Sequence, residues 1–146
     1  MKISTKGRYA LRVMVDLAEH EDGNYHAMKD VASRQDVSLK YLEKILPSLV
    51  KSGLVEGTHG KGGGYRLTKE PEQYSVGEIL RATEGDLAPV ACLECGTGEC
   101  GLQDDCRTKP MWVEVNSIIN NYFDSVSISD LMKKDDIRSG LMDDEE

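Results

Sequence analysis

The sequence predicts a mainly α-helical protein with one small β-hairpin and a long helix near the C-terminus. Apolar residues recur at three- and four-residue spacings in several segments, which is typical of amphipathic helices. The glycine-rich segment LVEGTHGKGGGYRLT, residues 54–68, has strand-like residues at both ends. The chain has 146 residues, 39% of them hydrophobic and 30% charged. This composition fits one globular domain with a short appendage.

The first two helices are predicted from their apolar positions. A helix of about four turns lies within the first twenty residues. Its inward positions are Ala10, Val13, Met14, Leu17 and Ala18. After the turn EDGNY, the segment AMKDVASRQ predicts a short second helix. Its inward positions are Met28, Val31 and Ala32.

The third helix is predicted in SLKYLEKILPSLVKSG, after the link DVS. Ser38 is a good N-cap, and Gly53 lies in the C-terminal position that glycine favours. Pro47 removes one backbone hydrogen bond inside the helix, so we expect a kink or a break there. The leucines at three- and four-residue spacing predict the inward face. They are Leu39, Leu42, Leu46 and Leu49.

The second and third helices form a helix-turn-helix pattern, in which the link residue Val37 is predicted to be buried. The N-terminal half of the second helix of such a pair enters the DNA major groove. Four side chains project from that half: Lys40, Tyr41, Glu43 and Lys44. The pattern indicates DNA binding; the alternative is a generic helical domain.

The hairpin that follows is predicted to be a wing beside the helix-turn-helix. Residues 54–55 and 65–67 are strand-like, and four glycines between positions 60 and 64 form a tight tip. Glycines allow the backbone to approach a phosphate closely, while His59 and Lys61 supply donors at the tip. The alternative is a glycine-rich turn with no role in binding.

The charge of the chain is unevenly distributed around a net charge of -8. Residues 1–74 carry twelve Lys or Arg and ten Asp or Glu, whereas residues 75–146 carry six and sixteen. The overall acidity therefore does not exclude DNA as a partner, because a binding face has its own charge. There is no run of eighteen apolar residues and no signal-peptide pattern, so we expect a cytoplasmic protein with no membrane partner.

All four cysteines lie in one loop, which follows a helix, SVGEILRATEG, capped by Ser75 and ended by Gly85. They are Cys92, Cys95, Cys100 and Cys106. Four thiolates on a short loop can bind zinc or an iron-sulfur cluster, and their spacing favours neither. A disulfide is disfavoured in a reducing compartment, and a thiol oxidoreductase site lacks the required strand-helix-strand setting. We expect His20 and His26 to be surface residues rather than ligands.

The long C-terminal helix opens at Pro110 and covers MWVEVNSIINNYFDSV. An apolar stripe this wide predicts a partner, which we expect to be a second copy in a two-fold dimer. The alternative is packing onto its own helix-turn-helix domain. The predicted stripe is Trp112, Val115, Ile119, Tyr122 and Val126, widened by Met111, Ile118 and Phe123. A dimer presents two recognition helices to a roughly palindromic operator.

The chain resembles one known family in four segments. They are STKGRYALRVMVDLA, VSLKYLEKIL, GLVEGTHGKGGGYRL and SVGEILRATEG. It is the family of winged-helix regulators typified by the iron-sulfur cluster regulator IscR, with the nitric oxide sensor NsrR and the cysteine regulator CymR as relatives. The likeness runs from Met1 to about Lys134. It implies a winged helix-turn-helix domain (1–84), a cysteine-rich metal-binding loop (85–109), and a dimerisation helix with a short final helix (110–134). The remaining segment (135–146) is acidic and contains glycine, so we expect it to be a disordered tail.

The resemblance also implies a cofactor, a 2Fe-2S cluster held in IscR-like proteins by three loop cysteines and a histidine. Cys100 and Cys106 match the second and third cysteines, but Lys109 stands at the histidine position, where its ammonium has no free lone pair. We therefore expect ligation by all four cysteines and a lowered reduction potential. Arg8 stands where the nitric oxide sensors have an acidic ligand.

The function that the resemblance implies is a dimeric transcriptional repressor of iron-sulfur cluster biogenesis genes, controlled by the cluster, and not an enzyme. The implied base contacts are Tyr41 and Glu43, and a glutamate can accept from cytosine N4. Lys40 and His59 depart from the family's serine and arginine. The full expected DNA-binding set is Lys2, Lys6, Arg8, Ser38, Lys40, Tyr41, Glu43, Lys44, His59 and Lys61. The alternative is a zinc-stabilised or thiol-switched regulator resembling CymR, without a cluster.

Overall fold

The computed structural model describes residues 2–94 and 105–133. Its elements are α1 (Thr5–Glu19), α2 (Met28–Gln35), α3 (Leu39–Lys51), β1 (Val55–Thr58), β2 (Gly64–Leu67), α4 (Val76–Glu84), α5 (Lys109–Ser125) and α6 (Ile128–Met132). The predicted class, mainly helical with one antiparallel hairpin and a long C-terminal helix, is confirmed. The predicted ligands Cys95 and Cys100 and the predicted tail, residues 135–146, lie outside the described residues.

Helices α3 and α4 begin where serine side chains cap them. Ser38 accepts a hydrogen bond from the Tyr41 amide, and Ser75 accepts one from the Glu78 amide. These bonds satisfy N–H groups that have no acceptor inside the helix. Gly53, with φ of 72°, follows the C-terminal end of α3 as predicted.

Helix α3 continues through Pro47 to Lys51, so the predicted break does not occur. Pro47 is exposed, and its missing N–H removes only one hydrogen bond from the helix. Buried residues before and after it, Leu46 and Leu49, anchor the helix in the core on both sides. Packing therefore outweighs the local cost of the proline.

The core forms around α1, which contacts α2, α4, α6 and β2. The residues that are fully buried there include Met14, Leu42, Ile45, Leu49, Ile79 and Ile128. Val37, predicted to be buried, is half-buried at the edge of this core. A second, smaller cluster joins α4 to the end of α5 and contains Val76, Leu80, Leu87 and Val126.

One carboxylate is buried between α1 and α2. Asp16 is 1% exposed, and Arg34 donates to its two oxygens at 2.7 and 3.1 Å. The Gln35 amide donates to Asp16 at 2.9 Å. Burial raises the pKa of Asp16, but the bonds from Arg34 and Gln35 outweigh burial and hold that pKa below its ordinary value. The ionised pair therefore joins the two helices.

The hairpin is attached to the helical body by a third extended segment. His26, in the loop between α1 and α2, exchanges two backbone hydrogen bonds of 2.9 Å with Tyr65 of β2. Arg66 donates to Glu56 at 2.6 Å and to the Gly23 carbonyl at 3.1 Å, and stacks 4.3 Å above the Tyr25 ring. The hairpin therefore has a fixed orientation relative to the helices.

Replacing Gly64 by alanine is expected to detach the hairpin from this loop. A Cβ at Gly64 would overlap the His26 carbonyl, and its φ of 154° disfavours any L side chain. We expect a loss of about 2–4 kcal/mol of unfolding free energy, measured by denaturant unfolding, and faster exchange of the Tyr65 amide. Gly62→Ala is the control, because its φ is 80° but nothing lies within 4 Å. Equal losses in both variants would contradict the role of the His26 contact.

The C-terminal half of α5 is attached firmly to α4. Arg81 donates to both oxygens of Asp124, at 2.8 and 3.0 Å, and to Asn120 at 2.8 Å. The Val76 amide donates to the Val126 carbonyl at 2.8 Å. Helix α6 then packs on α1. Among residues 2–94 and 105–133, no helix has the length and apolarity needed to cross a membrane.

Candidate functional site

The exposed face of α3 carries the side chains expected to contact DNA. Lys40, Glu43 and Lys44 are exposed, whereas the neighbouring Leu42 and Ile45 are buried. The Tyr41 ring is half-buried and lies edge-on to Tyr9, with ring centroids 5.4 Å apart. The Ser38 hydroxyl is engaged as the N-cap of the helix. The outer side of the N-terminal half of α3 thus presents two ammonium groups and a carboxylate, while its inner side packs in the core.

The start of α1 lies beside α3. Lys6 donates to the Ser48 hydroxyl at 3.1 Å, and this bond links the two helices. Lys2 and Arg8 are exposed, and Arg8 donates to Thr5 at 3.2 Å. Of the phosphate contacts expected on α1, Lys6 therefore lies against the recognition helix, whereas Arg8 projects into solvent.

Sequence reasoning missed the group that caps α1. Glu84, the last residue of α4, accepts hydrogen bonds from the Ser4 amide at 3.2 Å, the Gly7 amide at 3.0 Å and the Ser4 hydroxyl. A carboxylate is stabilising at a helix N-terminus. A Cβ at Gly7 would lie 2.5 Å from the Glu84 oxygen, so a larger residue at this position would displace the capping carboxylate. No local sequence signal joins residues this far apart.

The hairpin tip exposes His59 and Lys61. Gly60 and Gly62 have φ of 91° and 80°, in the left-handed region that glycine adopts readily. The Gly63 amide donates to the Gly60 carbonyl at 3.0 Å and closes the turn. The tip therefore presents one imidazole and one ammonium on a tight loop.

The two described cysteines are free thiols. Cys92 is exposed in a short 3-10 turn at Ala91–Leu93, and Cys106 is half-buried just before α5. The Cys106 sulfur lies 3.4 Å from the Thr108 hydroxyl. That hydroxyl, together with the backbone amides of Thr108 and Lys109, lowers the pKa of Cys106 and favours its thiolate. Thiolates are the form that binds metal and attacks disulfides.

A complete metal site cannot be assembled from the described part of the chain. Within residues 2–94 and 105–133, no three His, Cys, Asp or Glu side chains converge, and two of the four expected ligands lie in 95–104. His20 Nδ1 lies 2.8 Å from the Asp16 carbonyl, and His26 Nε2 lies 3.1 Å from the Asp22 carboxylate. All-sulfur donors, one with a lowered pKa, suit iron or zinc.

A cavity of about 470 Å³ lies between α4 and α5, next to the cysteine loop (residues 85–109). Leu93 from this loop lines it, as do Arg81, Asn116 and Asn120. Arg81 and Asn120 also attach α5 to α4. The part of the cysteine loop that contains Cys92 and Leu93 therefore lies beside the residues that hold α5 against α4.

The apolar face of α5 differs from the predicted stripe. One side of α5 carries Met111, Val115, Ile118 and Tyr122, spaced four, three and four residues apart, which we name the outer stripe. Ile118 is 59% exposed and Met111 is 50% exposed, while Val115 is half-buried. Trp112 and Ile119 are half-buried at its edge, and Val126 is buried in its own chain, which removes it from an interface. None of the described residues of α5 is fully buried.

Comparisons with known proteins agree with this fold. The Rrf2 family model, described as an iron-dependent transcriptional regulator, matches residues 3–134. The HTH-type transcriptional regulator IscR of Vibrio campbellii is 34% identical over 94% of this chain and 80% of its own length. CymR, the global cysteine regulator of B. subtilis, is 32% identical with a TM-score of 0.76, covering 93% of this chain and 99% of its own. T. potens IscR is 35% identical with a TM-score of 0.71, covering 92% and 88%.

Proposed function

This chain belongs to the Rrf2 family of transcriptional regulators, and we propose that it is a homodimeric repressor whose operator binding is controlled by a 2Fe-2S cluster in the cysteine loop. As a transcriptional regulator it is not an enzyme. The observation that supports this function most is the exposed face of α3, with Lys40, Glu43 and Lys44, beside a glycine-tipped hairpin in a chain that also carries a cysteine loop. We place its targets among genes for iron-sulfur cluster assembly, and its action in the cytoplasm.

In the proposed complex, α3 enters the major groove. Glu43 accepts from cytosine N4, and the Tyr9 ring positions Tyr41 for a second contact. Lys2, Lys6, Arg8 and Lys61 contact phosphates, which set the register but carry no sequence information. Selection of duplexes from random DNA by the full-length protein tests this function. We expect a palindromic consensus; enrichment of no sequence would contradict it.

Replacing Lys61 by alanine is expected to weaken binding to every duplex by the same factor. A phosphate contact releases about one counterion, so the slope of log K against log salt should become shallower by about one unit. Fluorescence anisotropy at several salt concentrations measures both effects. Lys29→Ala is the control, because Lys29 is exposed on α2, outside the proposed contacts. A loss confined to one sequence would contradict a phosphate role for Lys61.

Cys92, Cys95, Cys100 and Cys106 would hold the cluster, and their number and chemistry fit it. When bound, the cluster supplies a redox- and iron-sensitive centre. In this chain the Thr108 hydroxyl and the backbone amides at the start of α5 lower the pKa of Cys106 and so favour its thiolate form. Lys109 is no ligand in this arrangement.

Replacing Cys92 by serine tests the four-cysteine site. Serine removes one thiolate, so we expect the reconstituted variant to show a changed visible spectrum and to lose iron faster than wild type under anaerobic conditions. Unfolding of the iron-free proteins is the control, because Cys92 is exposed and serine should leave the fold intact. An unchanged spectrum and an unchanged rate of iron loss would show that Cys92 is not a ligand.

The proposed switch acts through α5. Ordering of the cysteine loop on cluster binding would favour one arrangement of the two DNA-binding domains. The shift can be no larger than the difference in the affinity of the cluster for the two arrangements. Leu93 of this loop lines the same cavity as Arg81 and Asn120, which fix α5 to α4. A change at the loop is thereby transmitted to the helix that spaces the recognition helices.

A second candidate function is a thiol switch without a cluster. The exposed Cys92 thiol and the lowered pKa of Cys106 favour it, as does the similarity to CymR. Titration of free thiols before and after exposure to oxygen separates the two functions. A reversible loss of two thiols per chain with a change in operator affinity supports the thiol switch, and metal analysis identifies a zinc-stabilised form.

A further inference from the structure

Leu39 is an exposed apolar residue at the first position of α3. It is 40% exposed, whereas Leu42, Leu46 and Leu49 of the same helix are at most 2% exposed. The leucine spacing predicted that Leu39 points inward, and the structure shows that this prediction is wrong. Around the helix Leu39 lies about 60° from Leu42 but only about 20° from the buried Leu46, so its exposure follows from its position at the very start of α3 and not from its angle.

The position of Leu39 relative to Glu43 indicates what it can contact. The two residues are four apart, so their side chains neighbour each other on one side of the helix, with Cβ atoms about 5–6 Å apart. Successive base pairs are about 3.4 Å apart along DNA. A side chain at Leu39 therefore reaches a base pair one or two steps from the base that Glu43 contacts.

We propose that Leu39 reads a thymine by packing against its C5-methyl group in the major groove. The inference rests on the proposed DNA binding and deepens it by naming a specificity residue. The thymine methyl is the apolar group that bases display in the major groove, and a leucine has no donor or acceptor with which to contact other base edges. The N-terminal half of a recognition helix is the part that reaches bases, and Leu39 is its first residue.

Val50 provides the comparison within the same helix. It is 43% exposed, as Leu39 is, but it lies two residues before the C-terminal cap of α3. Its distance from the N-terminal half places it away from the bases. Both residues thus expose an apolar side chain, but only Leu39 lies in the half of the helix that reaches the bases.

The test uses the duplex that the full-length wild-type protein selects from random DNA. Each thymine is replaced in turn by deoxyuridine, which lacks only the methyl group, and affinity is measured by fluorescence anisotropy. We expect wild type to bind about fourfold more weakly when one thymine, one or two base pairs from the cytosine that Glu43 contacts, is replaced, as for one buried methyl group. Glu43→Gln identifies that cytosine by its altered base preference.

Leu39→Ala should bind the thymine and deoxyuridine duplexes equally well at this position, while Val50→Ala should keep the fourfold difference. Leu39→Met, which retains an apolar side chain, should keep most of it. The proposal is overturned if Leu39→Ala keeps the wild-type preference, or if no thymine near that cytosine matters to wild type. If wild type selects no sequence at all, the proposed function itself fails, and that outcome is distinct.

Discussion

Replacing Ile118 by glutamate is expected to convert the proposed dimer into a monomer. Operator binding should weaken by at least about a hundredfold, because two linked half-site contacts gain that much over one. Ile118 is 59% exposed at the centre of the outer stripe. Two-fold packing of this stripe would bury it, and a buried carboxylate without a partner is costly. Sedimentation velocity measures the mass, and anisotropy measures operator affinity.

Val113→Glu is the matched control for this substitution. Val113 is 47% exposed on α5, but five residues before Ile118, which places it on the opposite side of the helix. We expect this variant to remain a dimer and to bind the operator as wild type does. If Ile118→Glu is still dimeric at micromolar concentration, the outer stripe is not the subunit interface.

Replacing Arg34 by methionine is expected to lower the free energy of unfolding by about 3 kcal/mol. The change leaves Asp16 buried without its ionic partner. The expected loss lies at the low end for buried pairs, because the Arg34 side chain is 33% exposed. Urea unfolding at neutral pH measures it. Arg81→Met is the control, since its partner Asp124 is 46% exposed and the expected loss there is about 1 kcal/mol or less.

The loss caused by Arg34→Met should depend on pH. In the wild type, the pKa of Asp16 is below its ordinary value of 3.8, so its ionised form contributes stability above that pH. This contribution decreases as the pH falls through 3.8 toward the folded pKa. The difference between wild type and Arg34→Met should therefore be retained between pH 6 and pH 4 and shrink as the pH falls below 3.8. A difference that stays constant, or a loss no larger than that of Arg81→Met, would contradict a buried ion pair.

Local features of the sequence were sufficient to predict most element boundaries. Ser38, Ser75 and Gly53 act through hydrogen bonds and dihedral angles within a few residues, so their roles can be predicted without the fold. The hairpin is predicted for the same reason, because its glycines adopt positive φ at the tip. These features also placed Lys40, Glu43 and Lys44 on an exposed face.

Features that depend on distant contacts could not be predicted. Glu84 caps α1 from another helix, and His26 pairs with the hairpin across 39 positions of the chain. The exposure of Leu39 and the burial of Val126 depend on where neighbouring elements end, which a periodic pattern does not contain. For this reason the predicted stripe on α5 included Val126, which is buried within its own chain.

The most direct test of the account is the metal content and operator affinity of the full-length protein isolated without air. We expect a coloured protein with about two iron and two sulfide ions per chain. Removal of the iron by a chelator should change operator affinity by at least about tenfold, a typical coupling between two sites. A colourless protein that accepts no iron and sulfide, or an affinity that is the same with and without iron, would contradict control by a cluster.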